Sequence, residues 1–284
     1  MKTLSEVKKD LEFARGLTSL IEVLKNIAVS QYRILEQRIK AFEKFMLTIE
    51  SFFELIDFSQ VTHPFLVNQG KPQAVIAITS DSGLLGGLNM QVVTKAVSEL
   101  EKTPGQLIVI GERGKMYAAE SKLPFVAFPG IQDEQRYGQA TQLRDYVMTR
   151  AIRGDFGNLK VVYPHPVSFT VQRVETISFL PFSPSAVSTG QGQAAGGTKE
   201  IILESQLDDI IEYLIYLWIG QKLYDIFGLS RLAEFAARYV HLEESLQKLK
   251  EMDSKLRLQY FRIRHELIDR NMRELFSARL LYAG

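Results

Sequence analysis

The sequence predicts an α/β fold in which two long terminal helices pair antiparallel and a turn-rich segment of strands and helices lies between them. Three observations predict it. All nine prolines fall between Pro64 and Pro184, and fifteen of the nineteen glycines fall between Gly70 and Gly197. Proline breaks helix interiors and glycine weakens them, so residues 1–57 and 200–284 are free to form long helices. The first of these stretches repeats an apolar residue at every seventh position, and the second alternates apolar residues in steps of four and three.

In residues 1–57 the repeat runs through Val7, Ala14, Ile21, Ala28, Leu35, Phe42, Ile49 and Ile56. Leu4, Leu11, Leu17, Leu24, Ile39, Phe45, Met46, Phe52 and Phe53 widen the seam. A 3.5-residue repeat sustained this long signals a coiled coil rather than a globular helix. At 1.5 Å per residue such a helix is roughly 85 Å long.

Between the helices, residues 70–182 read as an α/β head. "AVIAIT" (74–79), "QLIVIG" (106–111) and "FVAF" (125–128) are strand-like, and each is followed by a helical stretch. "LKVVYPHP" and "FTVQRVETISFLPF" supply the last strands. Strands alternating with helices imply a parallel sheet wrapped by helices. Residues 183–199, "SPSAVSTGQGQAAGGTK", have almost no bulky side chain and predict a flexible loop. In residues 200–284, Phe235, Tyr239, Leu242, Leu246, Leu249, Asp253, Leu256, Tyr260, Ile263 and Leu267 form the second seam, with Asp253 its one polar member. Upstream, "LDDIIEYLIYLWIGQKLYDIF" is apolar on more than one face and predicts packing against the head. The predicted fold class is therefore α/β: a long antiparallel coiled coil of the N- and C-terminal helices plus a central Rossmann-like α/β head domain.

Composition narrows the function. Lys and Arg number 34 against 33 Asp and Glu, so no global charge field points to nucleic acid or a membrane surface. With no cysteine there is no disulfide, thiolate metal site or thiol nucleophile. The four histidines, His63, His165, His241 and His265, lack metal-ligand spacing. No apolar run is long enough to cross a bilayer.

The loop "SDSGLLGGLN" follows the first predicted strand and could cradle phosphate on its N–H groups. It lacks the lysine and hydroxyl of a Walker loop and does not match G-x-G-x-x-G. The reading adopted is structural: Ser80, Asp81, Gly83, Gly86, Gly87 and Asn89 shape a tight turn, with Asp81 capping it. Ser80 and Asp81 with His63 or His165 make a hydrolytic triad only on paper, since no Gly-x-Ser-x-Gly elbow supports it. Asp208, Asp209 and Glu212 read as a solvated helical stripe, and Tyr213, Tyr216, Trp218 and Tyr224 as core packing. No catalytic, cofactor-binding or metal site is predicted.

Residues 255–279 carry seven Lys or Arg against three acidic residues, and the chain then ends in apolar "LFSARLLYAG". Arginine-rich flanks suit an acidic partner because the guanidinium fork grips carboxylates bidentately. An exposed apolar tip calls for a covering surface.

Together these pieces resemble the gamma subunit family of rotary F-type ATP synthases. "TSDSGLLGGLN" is similar to the family's Ser-Asp-x-Gly-Leu-Cys-Gly-x-x-Asn turn, with Leu85 where cysteine is common. "VIGERGKMY" and "FLPF" resemble its second strand and the end of its last strand. "LAEFAARYVHLEES" matches its Ser-Glu-x-x-x-Arg segment at Glu234 and Arg238, and "YFRIRHELIDRNMREL" matches a further motif at Tyr260, Arg264 and Ile268. "LIEVLKNIAVSQ" keeps the apolar spacing and Ser30 of the family's N-terminal helix without its methionines and lysine, which marks a divergent branch. The resemblance implies a non-catalytic central-stalk rotor without cofactor. It stands inside a ring of alpha and beta subunits, with an epsilon subunit and a c-ring as further partners. It implies a peripheral place at the cytoplasmic side of the cell inner membrane. It also implies contact with beta subunits through Arg262, Arg264, His265 and Asp269, with Lys25 and Arg33 on the opposing helix, and a tip bearing of Leu280, Leu281 and Tyr282. The competing reading is a coiled-coil scaffold whose α/β head senses a small ligand, and a third is a hydrolase built on the head.

Overall fold

A computed structural model describes residues 3–39, 43–53, 56, 58, 63–67, 70–183 and 206–282. The chain divides into two compact units, Met1–Val29 with Tyr239–Gly284, and Ser30–Arg238.

The larger unit is built on a five-stranded sheet of order β3-β2-β1-β4-β5. Its strands are β1 (Gln73–Ile78), β2 (Gly105–Ile110), β3 (Phe125–Phe128), β4 (Asn158–Pro166) and β5 (Gln172–Leu180). β1 lies between β2 and β4, parallel to both, and is buried along its whole length. Its side chains alternate between two cores, as the period of a strand requires. Val75 and Ala77 meet Val92, Val93 and Ala96 of α3 (Leu88–Lys102) and Ala118 of α4 (Glu112–Glu120). Ala74, Ile76 and Ile78 face Leu143 and Val147 of α5 (Arg136–Arg153) and Ile215, Trp218 and Ile219 of α6 (Leu207–Tyr282). A sheet covered on both faces explains why its central strands read as unbroken apolar runs.

Four strands are parallel, as expected, but β5 runs antiparallel to β4. The connection is the reason. Parallel neighbours need a crossover, whereas residues 167–171 close a tight turn in which Val167 N–H donates to Val171 O at 3.0 Å.

The C-terminal stretch is one helix, α6, across its described residues 207–282. In the N-terminal stretch, α1 spans Leu4–Ile39 and α2 spans Glu43–Phe53, with residues 40–42 between them outside the described residues. Phe42 lies outside the described residues, as does the predicted loop beyond Ser183. Ile49 and Phe53 join the core of the head, where Phe53 sits 4.6 Å from Phe182. The first part of α6 packs there too, with Trp218 between Phe179 and Phe182. Tyr213 departs from the core expectation and is exposed.

In the smaller unit, α1 and α6 run antiparallel. Leu17, Ile21 and Leu24 pack on Leu242, Leu246 and Leu249. Val7, Ala14, Ile21 and Ala28, the seven-spaced residues of the sequence, are all buried. Lys25 on α1 reaches Glu243 on α6 at 2.7 Å, and each partner's hydrogen bond to the other raises the lysine pKa and lowers the carboxylate's.

Candidate functional site

In a doubly wound sheet a ligand sits beyond the carboxyl ends of the strands, where the chain reverses its winding. Here that point lies between β1 and β4, and the turn "SDSGLLGGLN" stands beside it. The turn is closed by its own hydrogen bonds. Ser80 N–H donates to Asn89 Oδ1 at 3.2 Å, and the Asn89 amide returns a bond to Ser80 Oγ at 2.9 Å. Ser80 Oγ donates to Ser82 O at 2.8 Å. Asp81 does not cap its own turn; Oδ1 accepts the N–H groups of Glu112 (2.9 Å) and Gly130 (3.1 Å), tying three loops together. Gly130 allows this approach, because a Cβ there would lie 2.3 Å from the Asp81 carboxylate. Arg113 N–H donates to Ser80 O, and Gly114 N–H to Thr79 Oγ1, each at 3.0 Å. The main-chain N–H groups of Thr79, Ser80, Gly111, Glu112, Arg113 and Gly114, at the ends of β1 and β2, are thus already used.

The crevice itself is occupied by the chain's own helices. Leu85 and Leu88 from the turn, Val174 from β5 and Ala237 from α6 form one buried cluster. Phe169, on the β4–β5 turn, meets Tyr32 of α1 edge-on at 4.8 Å, beside Leu35, Leu232, Phe235 and Ala236. Glu234 locks the arrangement: it is only 4% exposed and accepts from Ser82 Oγ (3.0 Å), Arg238 (2.7 Å) and Arg231 (2.6 Å). Arg238 also donates to Ser82 Oγ, and Arg231 bonds Asp133 at 3.1 Å. A buried carboxylate is tolerable when it is paired and fully hydrogen-bonded, and this one holds two guanidinium groups.

The hydrolytic triad is not assembled. Ser80 and Asp81 are committed as described, while His63 faces Glu212 at 3.5 Å and His165 faces Glu175 at 3.8 Å. Among the described residues no His, Cys, Asp and Glu group could hold a metal ion. No described helix is long and apolar enough to cross a membrane.

On the helix pair, Arg262, Arg264, His265 and Asp269 all lie exposed on α6, and Arg33 is exposed on α1. Lys25 is spent on Glu243 within the pair rather than presented outward. The side chains of Leu280, Leu281 and Tyr282 lie outside the described residues.

A sequence model of the ATP synthase family matches residues 3–279. The chain belongs to the ATP synthase family. It is similar to the ATP synthase gamma chain of Clostridium beijerinckii, at 24% identity over 281 residues, covering 96% of this chain and 95% of that one. It is 27% identical over 221 residues to the gamma chain of Symbiobacterium thermophilum, covering 76% and 75%. Among solved structures, the rotor of the Euglena gracilis mitochondrial ATP synthase in rotational state 1 shares the fold, with a TM-score of 0.67 at 16% identity over 93% of this chain and 98% of that one. In this ATP synthase chain the turn therefore serves to fasten a helix. Sequence reasoning found Glu234 and Arg238 through the family motif but missed Ser82, Asp133 and Arg231. The i, i+3 spacing of Arg231 to Glu234 was the available signal.

Proposed function

We propose that the chain is the central-stalk, gamma, subunit of an F-type ATP synthase and is itself non-catalytic. The helix pair serves as a rotor shaft inside a hexameric ring of alpha and beta subunits. The head, with an epsilon subunit, rests on the c-ring of the membrane sector at the cytoplasmic side of the inner membrane. Ion flow turns the c-ring and the shaft with it. Each beta subunit then meets a different face of the shaft, and that difference in contact shifts its conformational population. Arg262, Arg264, His265, Asp269 and Arg33 supply partner contacts. Leu280, Leu281 and Tyr282 supply the tip bearing.

The observation that carries this reading is the filled crevice. A ligand sensor needs that space open, whereas a rotor needs its head fastened to the helix that transmits torque. The Ser82–Glu234–Arg238 network and the Leu85–Ala237 cluster provide that fastening. The test is mass spectrometry of what co-purifies from native membranes. Alpha and beta subunits in threefold excess over this chain are expected, together with no nucleotide binding by the isolated chain. Recovery as a homodimer without them, or tight nucleotide binding by the head alone, overturns the proposal.

A further inference from the structure

The seam of the helix pair contains one polar layer. Asp253 follows Leu242, Leu246 and Leu249 in the spacing of α6 and precedes Leu256, Tyr260 and Ile263. Its Oδ2 lies 2.6 Å from Arg257 Nε, while Oδ1 is buried with no hydrogen-bond partner among the described residues. A groove of about 560 Å³ runs past it, lined by Arg15, Thr18, Glu22, Lys250, Asp253 and Arg257 among others. The buried Ala14 of α1 offers little bulk, and the hydroxyl of Thr18 turns back to Ala14 O at 2.9 Å. On one side of this layer Leu17, Ile21 and Leu24 pack on the buried Leu242, Leu246 and Leu249 of α6. On the other side Val7 and Leu11 of α1 are buried, but Leu256, Tyr260 and Ile263 of α6 are only half-buried.

A coiled coil transmits order along its axis through successive interlocked layers. A layer whose carboxylate oxygen is left unpaired among polar walls favours water over a knob in a hole, and the groove is roomy and polar enough for water. We propose that the Asp253 layer is a hydrated joint, dividing the pair into two segments that open independently. Residues 4–14 with 254–263 form one segment, and residues 17–28 with 239–249 the other. Bending and twisting of the pair concentrate at this layer.

Hydrogen exchange on the full chain, read by mass spectrometry, tests the joint without reference to the rotor reading. Amides of the first segment are expected to exchange at least tenfold faster than those of the second, with a step between residues 249 and 254. Simple end fraying fades gradually toward the terminus and shows no step. Asp253→Leu, and in parallel the more adaptable Asp253→Met, complete the seam. They are expected to slow exchange in the first segment tenfold or more while leaving the second within twofold. Asp253→Asn keeps the layer polar and is expected to preserve the step. A gradual profile in the parent chain, a step that survives both apolar substitutions, or a step abolished equally by Asp253→Asn each overturns the proposal.

Discussion

Two carboxylates in the head, one buried and one half-buried, have opposite consequences for stability. Glu99 on α3 is hydrogen-bonded by Lys102 and Lys160, and these bonds hold its pKa down at about 2, well below the usual carboxylate range. A depressed folded-state value adds stability that is present above the unfolded range near 4.5 and is lost as the pH falls toward 2. Glu99→Gln is therefore expected to lower stability at pH 7 by about 1–2 kcal/mol, with a gap to the parent that narrows near pH 3. Thermal melts of both proteins at the two pH values check this; an equal gap at both contradicts it. Asp225 on α6 is the reverse case. Burial raises its pKa to about 6, and Lys222, the Gln221 amide and Arg136 offset this only in part. Ionisation then costs stability above that value, so Asp225→Asn is expected to stabilise the chain at pH 7.5 by about 1–2 kcal/mol. The gain should fade as the pH falls toward 3.8, and a gain that grows on acidification refutes the assignment.

At the scale of elements, two isoleucines on α1 show what the helix pair holds. Ile21 lies in the buried cluster with Leu242, Leu246 and Leu249, whereas Ile27, six residues on, is 47% exposed. Ile21→Ala is expected to cost about 2–4 kcal/mol, and Ile27→Ala less than about 0.5 kcal/mol. Urea unfolding followed by circular dichroism measures both; similar costs would mean that the pair is not packed through this seam. The repeat that makes Ile21 an interior residue was legible in the sequence, because seven-residue spacing returns a side chain to one helix face. What covers that face was not legible. Ile49 belongs to the same repeat yet packs into the head, since periodicity states which side is apolar and not which surface meets it. The direction of β5 escaped for a related reason: its apolar pattern is the same in either orientation, and only the five-residue turn before it decides. The turn residues around Asp81 were identified as structural, but the Ser82–Glu234 contact joins residues 152 apart, a separation no local pattern encodes.

For the whole molecule, the rotor reading turns on how the helix pair meets its surroundings. Residues 255–279 carry a net charge of +4, and Arg262 and Arg264 make no ion pair among the described residues. Their charge is available to an acidic partner, unlike that of Lys25, which Glu243 already holds. Exposed, unpaired charges contribute little to folding, so reversing them leaves the chain's own stability nearly unchanged. If these arginines meet an acidic surface in the assembled enzyme, as proposed, the same reversal sets like charges against it and removes the hydrogen bonds of the guanidinium forks. The Arg262→Glu, Arg264→Glu double variant is therefore expected to leave the isolated chain's melting temperature within experimental scatter. In the reconstituted complex it is expected to slow ATP turnover several-fold or uncouple it from ion pumping. Raising the salt concentration should narrow the difference between parent and variant, because screening weakens attraction and repulsion alike. Unchanged turnover and coupling at low salt would remove these two arginines from torque transmission, leaving shape alone to carry the shaft's contact with the ring.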